Sequence, residues 1–426
     1  MKILGIETSC DETAAAVVED GSRILSSVVH SQINIFEALG GVVPEVAARS
    51  HIEMILPVVD AALREFYCVE HLDFDEKNWN AEFREKAWQE IDAIACTTMP
   101  GLVGSLLVGS LTARTLAILK NKPFYEIHHV EAHTYANFLT EKISRKTVLN
   151  VDAPHKIISR EMFRETEKIR ENQPQFPMLG LIVSGGHSQI VLWRDHGNYE
   201  LIGQTADDAV GEAFDKVAKI LGLPYPGGPS VAKAAVSGNS RKYDFPKAKM
   251  SNEYDFSFSG VKTAVLRRVQ QEVGVDHTFP SGQLAERLTD AQVADFAASF
   301  QRVAVETLVD KLVLAFREFQ PKSVVIAGGV SANQELRDEI SRRFTAETYG
   351  KKEYTDFAKI EFPPLFTCTD NAMMIASLGY FKASTAAPND SKAATTGRTR
   401  KPANDPLTTE VHPSISMTET AWNLAR

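Results

Sequence analysis

KILGIETSCDETAAAVVEDGSRILSSVV, residues 2–29, sets three strand patterns and two turns in succession. KILGIE alternates as a strand does and runs into the polar turn TSCDET. AAAVVED reads as a second strand, and Asp20-Gly21 supplies a hairpin turn into a third, RILSSVV. The same order returns at LGLIVSGGHSQIVLWRDHGNYELIGQT, residues 179–205. There a Ser-Gly-Gly turn replaces TSCDET, and His196-Gly197-Asn198 makes the second turn. Strand, turn, strand, turn, strand thus occurs twice, an internal repeat of supersecondary type.

Helical patterns follow each copy. HIEMILPVVDAAL (51–63) is apolar at helical spacing, as is DDAVGEAFDKVAKILGL (207–223), with Val210, Phe214, Val217 and Leu221 on one side. Asp207 and Asp208 read as the N-cap of that second helix. KSVVIAGGV (322–330) reads as a strand running into glycines ahead of the helix ANQELRDEISRRF (332–344). A strand that ends in glycines at a helix start exposes N–H groups and the helix dipole to phosphate. Two such α/β halves with a cleft between them suit a nucleotide-binding enzyme.

The bulk numbers agree with a folded protein of more than one domain: 426 residues, 44% hydrophobic and 24% charged. A net charge of −9 excludes an overall basic coat, although a local basic groove stays compatible with it. The cysteines, Cys10, Cys68, Cys96 and Cys368, form no C-x-x-C pair, which argues against a zinc ribbon and fits a reducing compartment. Glu7 and Asp11 interrupt any signal-like start, and LVGSLLVGSL (102–111) reads as too short to span a bilayer. The expectation is a cytoplasmic protein with no membrane partner. Residues 72–90 and 140–176 read as charged insertions, and from 386 to 426 the composition is that of a weakly ordered tail.

HHVEAHTYANFL (128–139) concentrates histidines. On a helix His129 and His133, four apart, share a face, while Glu131 falls on the opposite one. Zinc proteases use H-E-x-x-H, and the position of their general base is Val130 here. The pair therefore reads as two imidazoles without a metal, or as half of a site completed elsewhere. In TCTDNAMMIASLGYF (367–381), Asp370 stands where a helix should begin. It reads either as an N-cap or as the third member of a His₂-Asp set of the kind that holds catalytic zinc or non-haem Fe(II).

Taken together, ETSCDET (7–13), GGVVPEVAARSH (40–51), PGLVGSLLVG (100–109), HHVEAH (128–133), IVSGGHSQ (182–189), DDAVGEAFDK (207–216), YPGGP (225–229), FSFSGVKT (256–263), AGGVSAN (327–333) and CTDNAMM (368–374) resemble the TsaD family, in its bacterial form. These are tRNA N6-adenosine threonylcarbamoyltransferases, formerly called glycoproteases, and the motifs keep the family's order over roughly residues 1–385. The resemblance implies the duplicated fold of actin, hexokinase and the heat-shock ATPases. One lobe would be 1–127 with about 366–385, the other 128–365. It also implies one divalent metal on His129, His133 and Asp370, Fe²⁺ first and Zn²⁺ as the alternative. Threonylcarbamoyl-AMP would lie against Ile182, Val183, Ser184, Gly185 and Gly186, with Asp215, Gly228 and Asn333 completing its site.

The implied reaction moves the threonylcarbamoyl group to N6 of the adenosine beside the anticodon in tRNAs that read ANN codons. No enzyme nucleophile is required, and Asp11 or Glu12 is the candidate base. Lys216, Lys219, Lys247, Lys249, Lys262, Arg267 and Arg268 are candidate tRNA contacts. The implied partners resemble TsaB and TsaE, with a TsaC-type synthase supplying the adenylate. A sugar kinase of the same fold would leave the histidine pair without a purpose, and a TsaB-type scaffold would lack it. The chain departs from the family pattern at Met99, Ala132 and Ala232.

Overall fold

β1 (Lys2–Glu7), β2 (Glu12–Glu19) and β3 (Arg23–Ser31) form an antiparallel meander, in register from Lys2 opposite Glu19. Asp20 and Gly21 both take positive φ (50° and 68°), the geometry of a tight hairpin turn. The computed structural model describes residues 1–150, 159–348, 360, 362–384 and 403–419. By contacts the chain divides into one unit of Met1–Gln32, Val43–Gln173 and Asp370–Arg426, and a second of Ile33–Val42 and Pro174–Thr369.

In the first unit β4 (Ala93–Met99) runs parallel to β1, and β5 (Phe124–His128) runs parallel to β4. Alternation along β1 gives the sheet two apolar faces. Leu4 and Ile6 join a core with Ile55, Val59 and Phe66 of α2 (Pro44–Glu70). Gly5 faces the other way, and a side chain there would strike the Ala372 carbonyl of α11 (Ala372–Ser384). The backbone of that helix therefore lies close on the sheet. α4 (Val103–Lys120) packs against β4 and α2. It runs well past the stretch marked in the sequence. Among the described residues it is the one helix long and apolar enough to cross a membrane by length and composition. A short helix, α5 (His129–Tyr135), follows β5 directly.

The second unit repeats the plan. β8 (Met178–Val183), β9 (Ser188–Asp195) and β10 (Asn198–Gln204) make the meander, and β11 (Ser323–Ala327) lies parallel to β8. The order β10-β9-β8-β11 reproduces β3-β2-β1-β4, so the duplication read from the strands is present in the topology of each unit. Helices α1 (Ile33–Leu39), α6 (Val210–Leu221), α7 (Gly227–Ala235), α8 (Ser259–Glu272), α9 (Asp290–Phe319) and α10 (Gln334–Thr348) complete this unit. Its core gathers Leu181, Val183, Phe214, Phe256, Phe300 and Phe316. α9 opens on a capping box, Thr289 with Gln292.

Several expectations change. By contact, residues 128–173 group with the first unit and 33–42 with the second. The charged stretch 72–90 contains α3 (Ala81–Glu90) and an aromatic cluster in which Phe74 lies 5.0 Å from Tyr67 and 4.6 Å from Phe83 by ring centroid. Most of 140–176 is a hairpin, β6 (Glu141–Asn150) and β7 (Ser159–Lys168), that extends the first sheet beyond β3. In the tail, 403–419 packs on the first unit, with Met417 only 2% exposed; the rest of 386–426 lies outside the described residues. Neither Asp207 nor Asp208 caps α6, whose N-cap is Ala209. Asp207 instead accepts from the Phe258 and Ser259 amides (2.8 and 3.2 Å) at the start of α8, and Asp208 is held by Lys216 and Lys262.

Candidate metal centre

α5 places His129 and His133 one turn apart, with ring centroids 4.7 Å from each other. Asp370 precedes α11, and the cap of that helix is supplied by its neighbour: Asn371 Oδ1 accepts the Met374 amide at 3.1 Å. The Asp370 carboxylate is thus available for the imidazoles. Its Oδ1 stands 3.4 Å from His129 Nε2 and 3.3 Å from His133 Nε2. Two ligands each about 2.0–2.1 Å from a tetrahedral ion lie about 3.3–3.4 Å apart, so these separations suit one cation. All three ligand atoms lie within 4.8 Å of one another.

The chemistry of the donor set points the same way. Nε2 of buried His133 meets only the Asp370 carboxylate, at 3.3 Å and without hydrogen-bond geometry, a costly arrangement that a cation bound at that nitrogen would relieve. Burial works against charging His129, yet Asp370 and Glu7 outweigh it and hold its ring protonated well above the usual histidine range. Burial would likewise raise the Asp370 carboxyl, but His129 and His133 keep it far below the usual carboxylate range. A positive charge is what this cluster stabilises.

Glu7 is a member that sequence reasoning did not mark. It is fully buried, and its Oε2 accepts from Thr97 Oγ1 and lies 3.2 Å from His129 Nδ1. Its Oε1 accepts the Ser9 amide at 2.5 Å. Burial would raise its pKa, but His129 holds it low. A carboxylate on Nδ1 fixes the tautomer that leaves Nε2 free to bind a metal, the usual second partner of a metal-bound histidine. Nothing in ETSCDET singled out its first residue, because the partner on α5 is distant in sequence.

The same holds for His51, the last residue of GGVVPEVAARSH. Its Nε2 donates to the Cys10 carbonyl at 3.0 Å and its Nδ1 meets Thr13 Oγ1 at 2.7 Å, tying α2 to the first turn. PGLVGSLLVG packs on that turn too. Leu102 donates to the Ser9 carbonyl at 2.8 Å, and Thr8 Oγ1 donates to the Ser105 carbonyl at 2.9 Å. A Cβ at Gly101 or Gly109 would strike Ser9 or Thr8. Of the two candidate bases, Glu12 accepts from Ser31 Oγ at 3.1 Å. Burial, together with the Asp370 and Asp11 carboxylates, pushes it up to about 10.

In the second unit the residues expected around the adenylate divide by exposure. Ile182 and Val183 are buried in the core, whereas Ser184 is half-buried and Gly185 and Gly186 are exposed. The turn is closed by Ser184 N–H to the His187 carbonyl at 2.8 Å. A Cβ on Gly185, Gly186 or Gly228 would meet nothing within 4 Å, so each faces open space. Gly211, Gly227 and Gly328, by contrast, permit close approach: a Cβ there would strike the Ser184 carbonyl, Asp215 and the Val183 carbonyl respectively. Those contacts draw 184–186, the start of α6, 227–228 and the end of β11 together.

Asp215 accepts the Gly227 amide at 2.6 Å. Asn333 caps α10 through the Leu336 amide (3.1 Å) and donates to Gln301 (2.9 Å). The basic residues are largely engaged already. Lys216, Lys247, Lys262 and Arg268 form ion pairs within the unit. Arg267 donates to Gln270 at 3.0 Å. Lys219 and Lys249 are exposed.

Against this geometry stand the comparisons with known proteins. The family model described as TsaD, tRNA N6-adenosine threonylcarbamoyltransferase, matches residues 23–161 and 157–377. A relative of that description from Thermomicrobium roseum is 42% identical over 390 residues, 90% of this chain and 92% of that one. Another, from Caldicellulosiruptor saccharolyticus, is 43% identical over 384 residues, 90% and 93% of the two chains. Among solved structures, component A of the Acidaminococcus fermentans (R)-2-hydroxyglutaryl-CoA dehydratase is 13% identical with a TM-score of 0.42, covering 90% of this chain and 98% of that chain.

Proposed function

The chain belongs to the family of tRNA N6-adenosine threonylcarbamoyltransferases, and from that premise we propose that it transfers the threonylcarbamoyl group of threonylcarbamoyl-AMP to N6 of the adenosine beside the anticodon in tRNAs reading ANN codons. The observation that carries this reading is the convergence of His129, His133 and Asp370 on one point. In the reaction the amine nitrogen of adenosine forms a bond to the carbamoyl carbon. The bond from that carbon to the phosphate oxygen breaks, AMP leaves, and the amine gives up a proton. His129, His133 and Asp370 would hold a divalent cation, Fe²⁺ or alternatively Zn²⁺. When bound it would supply Lewis-acid polarisation and orientation of the acyl group.

The protein's own residues do the rest. Glu7 holds the tautomer of His129. Gly185 and Gly186 present bare backbone to the anhydride, and Gly228 leaves room for the nucleoside. Asp215 secures the 227–228 turn, and its carboxylate, which only accepts, suits ribose hydroxyls. Asn333, already engaged at its oxygen and at one amide hydrogen, contributes through the other. Asp11 or Glu12 takes the proton from the amine. At about 10, Glu12 holds its own proton near neutrality and could act as the base only after losing it. Lys219 and Lys249 serve tRNA phosphate, and the paired cations hold the surrounding scaffold.

Partners of the TsaB and TsaE type, with adenylate from a TsaC-type synthase, complete the system in the cytoplasm. The TsaB-like subunit docks on exposed apolar residues of α2 and α4, Ile52 and Leu56 beside Leu107 and Leu111. Spacings of four place each pair on one helix face. The test supplies purified protein with threonylcarbamoyl-AMP, those partners and unmodified tRNA, and looks for the modified nucleoside by mass spectrometry. Formation of N6-threonylcarbamoyladenosine and AMP in equal amounts is expected. Hydrolysis of the adenylate with unchanged tRNA would refute the assignment.

A further inference from the structure

Residues 403–419 lie beyond the region matched to the family, which ends at 377. In the first unit this segment runs along β5, the outer strand of its sheet. Asn404 donates its backbone N–H to the Phe124 carbonyl at 2.8 Å, and its Oδ1 accepts the Glu126 amide at 3.1 Å. The open edge is thereby covered, as exposed edges generally are. Arg114 of α4 holds the Pro406 and Leu407 carbonyls. Further on, His412 N–H donates to the Thr98 carbonyl at 2.9 Å, and Gly101 N–H donates to the Pro413 carbonyl at 3.1 Å. Met417 is buried at the far end.

One contact leads from this segment into the cation cluster. His128, 1% exposed, has its Nε2 3.2 Å from the Ile415 carbonyl. A carbonyl only accepts, so Nε2 carries the proton and Nδ1 must accept. Nδ1 receives the Glu131 amide at 3.4 Å, which makes His128 the side-chain N-cap of α5. In the opposite tautomer two buried N–H donors would face each other. α5 is the helix that presents His129 and His133.

We propose that the C-terminal segment is a positioning element for the cation site. The Ile415 carbonyl selects the tautomer of His128, that tautomer caps α5, and the cap sets the aim of His129 and His133 toward Asp370. This rests on the cation reading above. His128 is a positioning residue here, acting through the ligands and touching no substrate.

The experiment uses Co²⁺ as probe, with visible absorption reporting ligand geometry and chelator competition reporting affinity. Full-length protein is compared with a chain ended at Ser384, with His128→Ala, with His128→Asn, and with the shortened His128→Ala chain. Shortening and His128→Ala are each expected to weaken Co²⁺ binding at least fivefold and to alter the absorption bands. Together they should weaken it no further, since both act along one link. His128→Asn, which keeps an acceptor and a donor, should restore most of the affinity, and a synthetic 403–419 peptide should rescue the shortened chain. If the shortened chain does not fold, Met417→Asp in the full chain takes its place. Identical affinity and spectrum without the segment would overturn the proposal, as would losses that multiply in the double variant. Absence of Co²⁺ uptake by the intact protein would instead overturn the cation reading itself.

Discussion

Between β1 and β2 the chain turns through Thr8-Ser9-Cys10-Asp11, and between β8 and β9 through Ser184-Gly185-Gly186-His187. The two turns hold equivalent places in a duplicated topology. The first is enclosed: Glu7 is fully buried, and α2 and α4 clasp the turn through His51, Leu102 and Ser105. The second is bare, with two exposed glycines facing open space. One copy of the scaffold concentrates acidic side chains around the turn. The other has glycine at its two central positions and leaves that backbone uncovered, which on the proposed function is where the anionic adenylate would lie. Two copies of one topology thus differ chiefly in what fills the equivalent turn.

Substitutions in each turn's neighbourhood test that contrast. His133→Ala should have the largest effect. Loss of a ligand should cost more than the roughly 10–100-fold typical of an outer partner, while the circular dichroism spectrum stays unchanged. Full tRNA modification by this variant would break the comparison at its cationic end. Gly185→Val probes the anionic end. The new side chain enters open space, so stability should hold while affinity for threonylcarbamoyl-AMP drops by about tenfold or more, equivalent to about 1.4 kcal/mol. Unchanged binding in a titration would show that the turn does not face the ligand.

Glu7→Gln sharpens the first half. It keeps the shape and removes the charge that holds His129 Nδ1, so metal affinity should fall about 10-fold, read by chelator competition. The smallest effect concerns pH. His196, in the turn between β9 and β10, is pushed down to about 4, with burial as the main cause. Its unfolded pKa is near 6.5, so the unfolded chain binds the extra proton first. The contribution to stability is present above 6.5 and is lost as pH falls from about 6.5 to about 4, on the order of 1–2 kcal/mol. His196→Gln should flatten a urea-midpoint profile over that window without changing Co²⁺ binding. If the profile of the variant matches the parent, burial of this ring is not what limits stability in acid.

Much of this was legible in the sequence, for identifiable reasons. Both meanders show alternation and turn residues, which are local signals. The His129/His133 spacing needs only the helical period, and Asp370 entered as one of two readings; it lies 3.4 and 3.3 Å from those two rings, while Asn371 accepts the Met374 amide at the start of α11. What stayed hidden depended on distant partners. Glu7 becomes meaningful only once the end of β1 meets His129 of α5, and His51 only once α2 reaches Cys10. β6 and β7 carry charges on both faces, so no period announced a hairpin. Asp207 resembled a cap by position, but its carboxylate is taken by α8, fifty residues on in sequence. The segment 403–419 has the composition of a tail and is held chiefly through hydrogen bonds to its own backbone groups, which composition does not register.

The central claim is that one cation is held by His129, His133 and Asp370. X-ray absorption at the metal edge tests it most directly, on protein purified without oxygen and on His129→Ala and His133→Ala. About one metal per chain is expected, with scattering from two imidazoles and from oxygen ligands at about 2.0–2.2 Å. One imidazole contribution should be lost in each variant. A bound metal whose spectrum shows no imidazole, or the same spectrum in all three proteins, would contradict it.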